Sequence, residues 1–373
     1  MRHRRFFIAI LILTLSSPLL AQDKPLQQRY NEAVQKFEAR DYQGAIALLE
    51  PLKAQPSLPP HFFALLGAAY IEVGRVEEAQ VMLDQLAASD GAGPALLFNA
   101  ARAAFALKQD EKGEAYLKRA AAKGPKTLAA RALGLRYGRQ GKAQEALDLL
   151  KPWLEAHPDD QEARLGAAFC AVELNRVEEA GALLAPLPVD LPQARLLRAR
   201  LLLDTDPRQA IASLSPLEAA PPPGIERDLR WILADARMRT GDAAGAAAGL
   251  AGKTGEDPVL ALLLAQAQQQ TGNPEQVVAT LKPFVDRLPD PASAGSQSGV
   301  FAAIALEYGR ALIAGAKWAE AVTVLEKSTA LDGSIAVAWQ LYGQALNGAG
   351  RREDARKALA KFQELTAAAP KTP

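Results

Sequence analysis

Three stretches of this chain hold residue types that could do chemistry. "GLAGKTG", Gly249 to Gly255, ends in the Gly-Lys-Thr of a phosphate-binding loop. Such a loop needs a Gly five residues before its Gly-Lys, a buried strand in front and a helix directly behind. Ala247 stands where that Gly belongs, and "AAGAAAG", without a β-branched residue, precedes the motif. The stretch therefore reads as a turn between helices, with Asp257-Pro258 as the next helix start. "GSQSG", Gly295 to Gly299, has Gln297 at its centre and no strand before it, so it makes no nucleophile elbow. Beyond residue 21 the chain keeps two histidines, His61 and His157, and one cysteine, Cys170, too dispersed for a zinc site. Cys170, in "AAFCAV", reads as a small buried hydrophobe. The paired acids Glu77-Glu78, Asp159-Asp160 and Glu178-Glu179 fall at helix starts, where they complement the helix dipole. No catalytic residue, cofactor or metal is expected.

The elements that would position any site are helices, because nearly every apolar stretch has a helical period. In Phe63–Leu86 and Ala132–Pro158 a unit repeats: Leu66-Gly67 with Tyr70, and Leu133-Gly134 with Tyr137. Gly74 and Gly141 follow, then Ala79 and Ala146, then Leu83 and Leu150. Trp339, Tyr342-Gly343, Gly350, Ala355, Leu359 and Phe362 restate the pattern near the end. One small or apolar residue per second helix marks the period: Ala45, Ala79, Gly113, Ala146, Ala180, Ala210, Ala246, Val277, Ala321 and Ala355. Their spacing is 34 residues with small deviations, except for one step of 44.

This unit resembles the tetratricopeptide repeat, a helix–turn–helix of about 34 residues with that order of Leu-Gly, Tyr, Ala and Pro. The resemblance implies an all-α, right-handed α-solenoid of about ten hairpins. Each hairpin hides its apolar stripe only against its neighbours. The glycines at 74, 141, 241, 272 and 350 are expected at the inter-helix turns. "LPDPASAGSQSG", Leu288 to Gly299, fills the long step with Pro, Ser and Gly. The expected organisation is a signal peptide over 1–21 and about eight repeats over 25–287. A flexible loop or hinge over 288–299 follows, then two C-terminal repeats over 300–366 and a disordered tail over 367–373.

The N-terminal segment has a positive head at Arg2, Arg4 and Arg5, and an apolar run of about ten residues ending before Ser16-Ser17-Pro18. That is roughly half the length of a membrane-spanning helix. Cleavage after Ala21 is expected, with export to the periplasm or the medium; an uncleaved membrane anchor is the alternative. Removing residues 1–21 takes three arginines and no acid, leaving 40 basic and 42 acidic residues. That balance argues against nucleic acid as a partner, and no membrane contact is expected after cleavage.

A solenoid of this kind offers a groove lined by its first helices. The register puts Phe98, Arg102, Phe105, Arg131, Leu135, Arg139, Leu165, Phe169, Arg195, Trp231, Asp235, Met238 and Arg239 on that face. Gln266, Gln269, Gln270, Gln340, Gln344 and Asn347 follow. Phe98, Arg102, Arg131, Arg139, Phe169, Arg195, Trp231 and Arg239 are the candidate partner-binding residues, because aromatic and Arg side chains dominate binding hot spots. The expected function is a non-catalytic scaffold or assembly factor of the bacterial cell envelope that takes a peptide or helix of a protein partner in this groove, an acidic segment being one that the arginines would suit. The alternatives are a membrane-anchored subunit of a larger envelope complex and an enzyme or ligand-binding protein with an unrecognised groove site. Family members that clamp a terminal carboxylate use a Lys/Asn set of which only Asn99 has a counterpart here.

Overall fold

The computed structural model describes residues 24–55, 58–89 and 91–368. The expected signal peptide over 1–21 lies outside them, as do residues 369–373 of the expected tail. The described residues form twenty α-helices and no strand. The chain divides into two compact units, 1–176 and 177–373. The 288–299 segment lies inside the second.

The first unit holds α1 (Lys24–Glu38), α2 (Tyr42–Leu49), α3 (Pro60–Glu72), α4 (Val76–Ala87), α5 (Pro94–Ala106), α6 (Asp110–Ala121), α7 (Leu128–Arg139), α8 (Ala143–Ala156) and α9 (Gln161–Glu173). Each helix packs on the next in the chain, and α1, α3, α5, α7 and α9 also touch in succession. First helices therefore form one continuous layer. Where a first and a second helix cross, bulk is absent on one side: a Cβ added at Gly134 would lie 2.8 Å from Leu150 Cγ. Leu150 itself is fully buried, as is Ala146 one turn earlier.

The second unit holds α10 (Val177–Leu184), α11 (Pro192–Leu202), α12 (Pro207–Leu214), α13 (Glu226–Arg239), α14 (Ala243–Leu250), α15 (Pro258–Gln270), α16 (Pro274–Val285), α17 (Ser298–Ala314), α18 (Trp318–Leu331), α19 (Ala336–Gly348) and α20 (Arg352–Ala368). Its odd helices from α11 to α19 again touch in succession. Within 288–299, a 3-10 turn spans Gly295–Gln297, Ala294 is buried in a small cluster with Ala302 and Leu331, and the Ser298 hydroxyl donates to the Leu331 carbonyl. α20 runs two residues into the stretch expected as tail.

Hairpin turns repeat one device. The residue five before each second-helix marker has a left-handed backbone in nine of the ten turns. The five expected glycines adopt it at φ between 74° and 83°, and Arg40, Lys108, Asn175 and Ala316 at φ between 54° and 63°. The N–H of the following residue then closes back on the first helix, as Lys142 does on the Tyr137 carbonyl at 2.9 Å and Lys317 on Leu312 at 2.9 Å. A non-Gly residue is strained there by roughly 1–2 kcal/mol. Ala316→Gly should therefore stabilise the protein by about 0.5–1 kcal/mol after the added freedom of the unfolded chain is counted. Urea unfolding checks this, and a destabilised variant would contradict it.

"GLAGKTG" is a joint between hairpins. α14 stops at Leu250, Gly252 and Gly255 turn left-handed at φ 67° and 53°, and Asp257 caps α15 by accepting from the Val259 and Leu260 amides. Gly249 has its own reason: an added Cβ would lie 2.7 Å from Arg237 Nη1. Arg237 grips Glu218 there with two bonds of 2.8 and 2.6 Å.

Candidate partner-binding faces

On the first unit, three of the candidate residues are already engaged within the chain or packed into it. Arg102 of α5 bonds Glu72 at the end of α3 and, at 3.3 Å, Asn99 Oδ1. Asn99 is buried and donates its amide to the Ala64 carbonyl at 2.8 Å, so it ties α5 to α3. Arg131 of α7 reaches Asp160 through Nε and through Nη2 at 3.0 Å, and Glu162 at 2.9 Å. Asp160 also accepts from Trp153 Nε1 at 2.8 Å and caps α9 through the Ala163 amide at 3.1 Å. Burial alone would raise the Asp160 carboxyl; Arg131, the Ala163 amide and the Trp153 indole outweigh it and hold the group below the ordinary carboxylate range. Phe98 is half-buried at the edge of the core.

Arg139 and Phe169 are different. Phe169 of α9 is 40% exposed, one of few large apolar side chains in the described residues that face water so openly. Arg139, at the end of α7, is exposed and has no ion pair or hydrogen bond among the described residues. Their places are related. Arg102 stands eleven residues before its second-helix marker and Glu72 seven before the preceding one; Phe169 and Arg139 stand at the same two offsets. The two offsets that in α5 and α3 carry an ion pair therefore carry an uncovered ring in α9 and an unneutralised guanidinium in α7. The other sequence-selected groups here are structural. Phe105 lies 4.6 Å under the Arg136 guanidinium, and Leu135 leans over Gly166, where an added Cβ would lie 2.6 Å away.

On the second unit, Arg195 is half-buried and unpaired among the described residues. Arg239 is neutralised by Asp235 at 2.8 Å and Asp204 at 2.6 Å, and Asp235, first, holds its charge firmly. Trp231 is half-buried between two core clusters, with Met238 packed on one of them. Farther along, two acceptors are hidden without partners. Gln269 Oε1 on α15 and Glu307 Oε2 on α17 are buried and accept no hydrogen bond from the described residues. Arg310 Nη1 lies 3.4 Å from that carboxylate oxygen without hydrogen-bond geometry. Burial pushes the Glu307 carboxyl upward against the pull of Arg310. Nothing in the sequence distinguished Glu307 from a surface acid, except its place fourteen residues before a marker, which Asn99 shares.

Groups suited to bond-making chemistry are sparse. No three His, Cys, Asp or Glu residues gather as a metal site among the described residues. Cys170 is fully buried, and burial, then Glu173, pushes its thiol up to about 11. His157 stacks on Trp153 at 3.6 Å and His61 meets Tyr30 edge-on at 4.6 Å. Two hollows beside the Glu218–Arg237 pair, about 190 and 530 Å³, share Ala219, Gly249 and Lys253, with α14 as their small-residue wall. No described helix is long and apolar enough to cross a membrane.

Residues 139–203 match the family model described as tetratricopeptide repeat. No curated protein matches by sequence. Among solved structures, a chain of Naa15/Naa10 bound to HypK-THB aligns at 14% identity and TM-score 0.39, over 93% of this chain and 64% of that one. The Cut9-Hcn1 hetero-tetramer of APC/C aligns at 19% identity and TM-score 0.40, over 89% of this chain and 64% of that one. A tetratricopeptide repeat protein from Parabacteroides merdae aligns at 18% identity and TM-score 0.39, over 65% and 98%. This chain thus spans less than two thirds of the first of these in length.

Proposed function

We propose that this tetratricopeptide-repeat chain is a non-catalytic scaffold whose first-helix layer takes a segment of a partner protein. The observation that carries the reading is the pairing of offsets: Phe169, 40% exposed, and Arg139, unneutralised, hold the two places that Arg102 and Glu72 hold in α5 and α3. An isolated exposed Phe needs no explanation. An aromatic anchor and a free guanidinium, at the two offsets where α5 and α3 close an ion pair, have the composition of a binding hot spot. The matching segment carries an apolar side chain followed by a carboxylate. With Arg102, Arg131 and Arg239 neutralised internally, acidic attraction is local to Arg139 and Arg195.

We further propose export and a role in assembling envelope complexes, on the strength of the positive head and short apolar run of residues 1–21. An intact mass that retains those residues would favour the anchored alternative.

The binding test starts from crosslinking in intact cells and identification of the captured protein. Purified pairs are then compared. Phe169→Ala and Arg139→Glu should each weaken binding at least tenfold, about 1.4 kcal/mol. Val81→Ala, on the second helix α4 where Val81 is 62% exposed, should leave it unchanged. Wild-type affinity in both groove variants, with helicity intact, would sink the reading.

A further inference from the structure

The α13–α14 hairpin departs from the repeat at two positions that elsewhere fill space. Three residues after its marker a second helix carries a side chain such as Leu48, Met82, Tyr116 or Leu149; in α14 that place is Gly249. Seven residues after the marker, the other nine hairpins hold eight apolar residues and Ser328, all buried or half-buried. Here that place is Lys253, which is exposed. α14 also stops after eight residues, whereas α4, α8 and α16 run for twelve or more. Space that a Leu, Phe or Trp occupies in other hairpins is therefore left open, and the hollow of about 190 Å³ lies there.

The walls of this hollow are apolar and its charges are positive. Leu229 and Leu233, one turn apart on α13, are at most 2% exposed, and Pro221 closes a further side from the turn after α12. Arg230, half-buried, and Lys253 also line it, and neither has an ion pair or hydrogen bond among the described residues. Its one acid, Glu218, is taken by the two bonds from Arg237, for which Gly249 leaves room. Arg237 and, more weakly, Lys253 hold the Glu218 carboxyl below its ordinary range, so it stays a neutralised wall and not a competing proton source. Two cations without counter-ions thus stand over an apolar base.

We propose that this hollow binds a small organic monoanion, a carboxylate on an apolar body of about benzene size, with Arg230 and Lys253 taking the charge and Leu229, Leu233 and Pro221 the body. An apolar cavity of about 150 Å³ admits benzene, so this one has room for a ring and a short acid arm. Arg230 offers the planar fork that matches a carboxylate, and Lys253 a second point charge. Inorganic phosphate would satisfy both cations but leave the leucine wall against water. A nucleotide is the wrong occupant, although Lys253 belongs to the Gly-Lys-Thr. Asp257 already accepts from the Val259 and Leu260 amides at the start of α15, with its carboxylate where a phosphate would sit. The proposal goes beyond the scaffold reading and stands apart from it, since none of these residues belongs to the candidate partner-binding set.

Calorimetric titration of the full chain tests it, with phenylpropionate as the probe. Binding is expected with a Kd of about 1 mM or tighter. Phenylpropanol, which lacks the charge, and inorganic phosphate, which lacks the body, should each bind at least tenfold more weakly. Lys253→Met and Arg230→Met should each weaken phenylpropionate about tenfold, while Lys253→Arg stays within about threefold. Ala219→Trp, at an exposed lining position, should abolish binding by filling the hollow, and covers the case in which Arg230→Met disturbs α13. Lys357→Met on α20 and Phe169→Ala should have no effect. No binding of phenylpropionate, equal binding of phenylpropanol, or wild-type affinity in Lys253→Met and Ala219→Trp overturns the proposal. Tighter binding of ATP than of phenylpropionate, lost in Lys253→Met, would overturn it in favour of a nucleotide.

Discussion

Leu325→Ala should destabilise the protein by about 4 kcal/mol, near the top of the range for buried Leu truncations. Leu325 of α18 is fully buried, and the surface it meets is not a side chain that could relax into a void. It faces the backbone of α17 at Gly309, where an added Cβ would lie 2.5 Å from Leu325 Cγ. Helix backbone cannot collapse to fill a cavity, so most of the lost contact stays lost. The complementary change, Gly309→Val, should cost about 3 kcal/mol by overpacking the same point. Gly309→Ala is the discriminating case. Ala favours a helix over Gly by about 1 kcal/mol, yet its methyl displaces Leu325. In the Leu325→Ala background that displacement disappears, so Gly309→Ala should become stabilising by about 1 kcal/mol. Urea unfolding followed by helicity gives all three numbers. A Leu325→Ala cost below 1 kcal/mol would mean that the hairpins are not held by this contact.

That Gly–Leu contact was legible in advance because it repeats. Leu-Gly followed at a fixed distance by Ala and Leu can be read from Leu66 onward, and the same spacing places Gly134 against Leu150 and Gly343 against Leu359. Left-handed turns were legible only where glycine marked them. Arg40, Lys108, Asn175 and Ala316 do the same work without a signature, since tertiary packing on both helices fixes a backbone that local preference opposes. Groove position, too, followed from register. What register could not supply was the state of each side chain on that face. Arg102, Arg131 and Arg139 look alike in sequence, but the partners that separate them lie about one repeat away: Glu72 for the first, Asp160 and Glu162 for the second, none for the third. Charge pairs at repeat distance are a signal of their own, weaker than apolar period because a single substitution erases it. Orphaned Gln269 and Glu307 left no trace at all, because the absence of a donor is a property of three-dimensional surroundings.

Asp160→Ala should cost about 3 kcal/mol, and here the effect comes from several small terms that share one carboxylate. The cap on the Ala163 amide contributes about 1 kcal/mol. Charge-assisted bonds from Arg131 contribute about 1.5–3 kcal/mol, partly retained because Glu162 still reaches the guanidinium. The Trp153 indole, on a ring only 4% exposed, is left without an acceptor. Asp160→Asn keeps an oxygen for the cap and the indole but loses the ionic component, so it should cost about half as much. Acid titration separates the two contributions. Because the folded carboxyl is held below its ordinary value of 3.8, its stabilisation is complete above that value and disappears as pH falls through the lower, folded one. Wild-type stability should therefore fall in that acid range, and Asp160→Asn should show a shallower fall there. Parallel acid limbs for the two proteins would show that Arg131 and Asp160 do not form an energetically meaningful pair, leaving the joint between α7 and α9 to apolar packing alone.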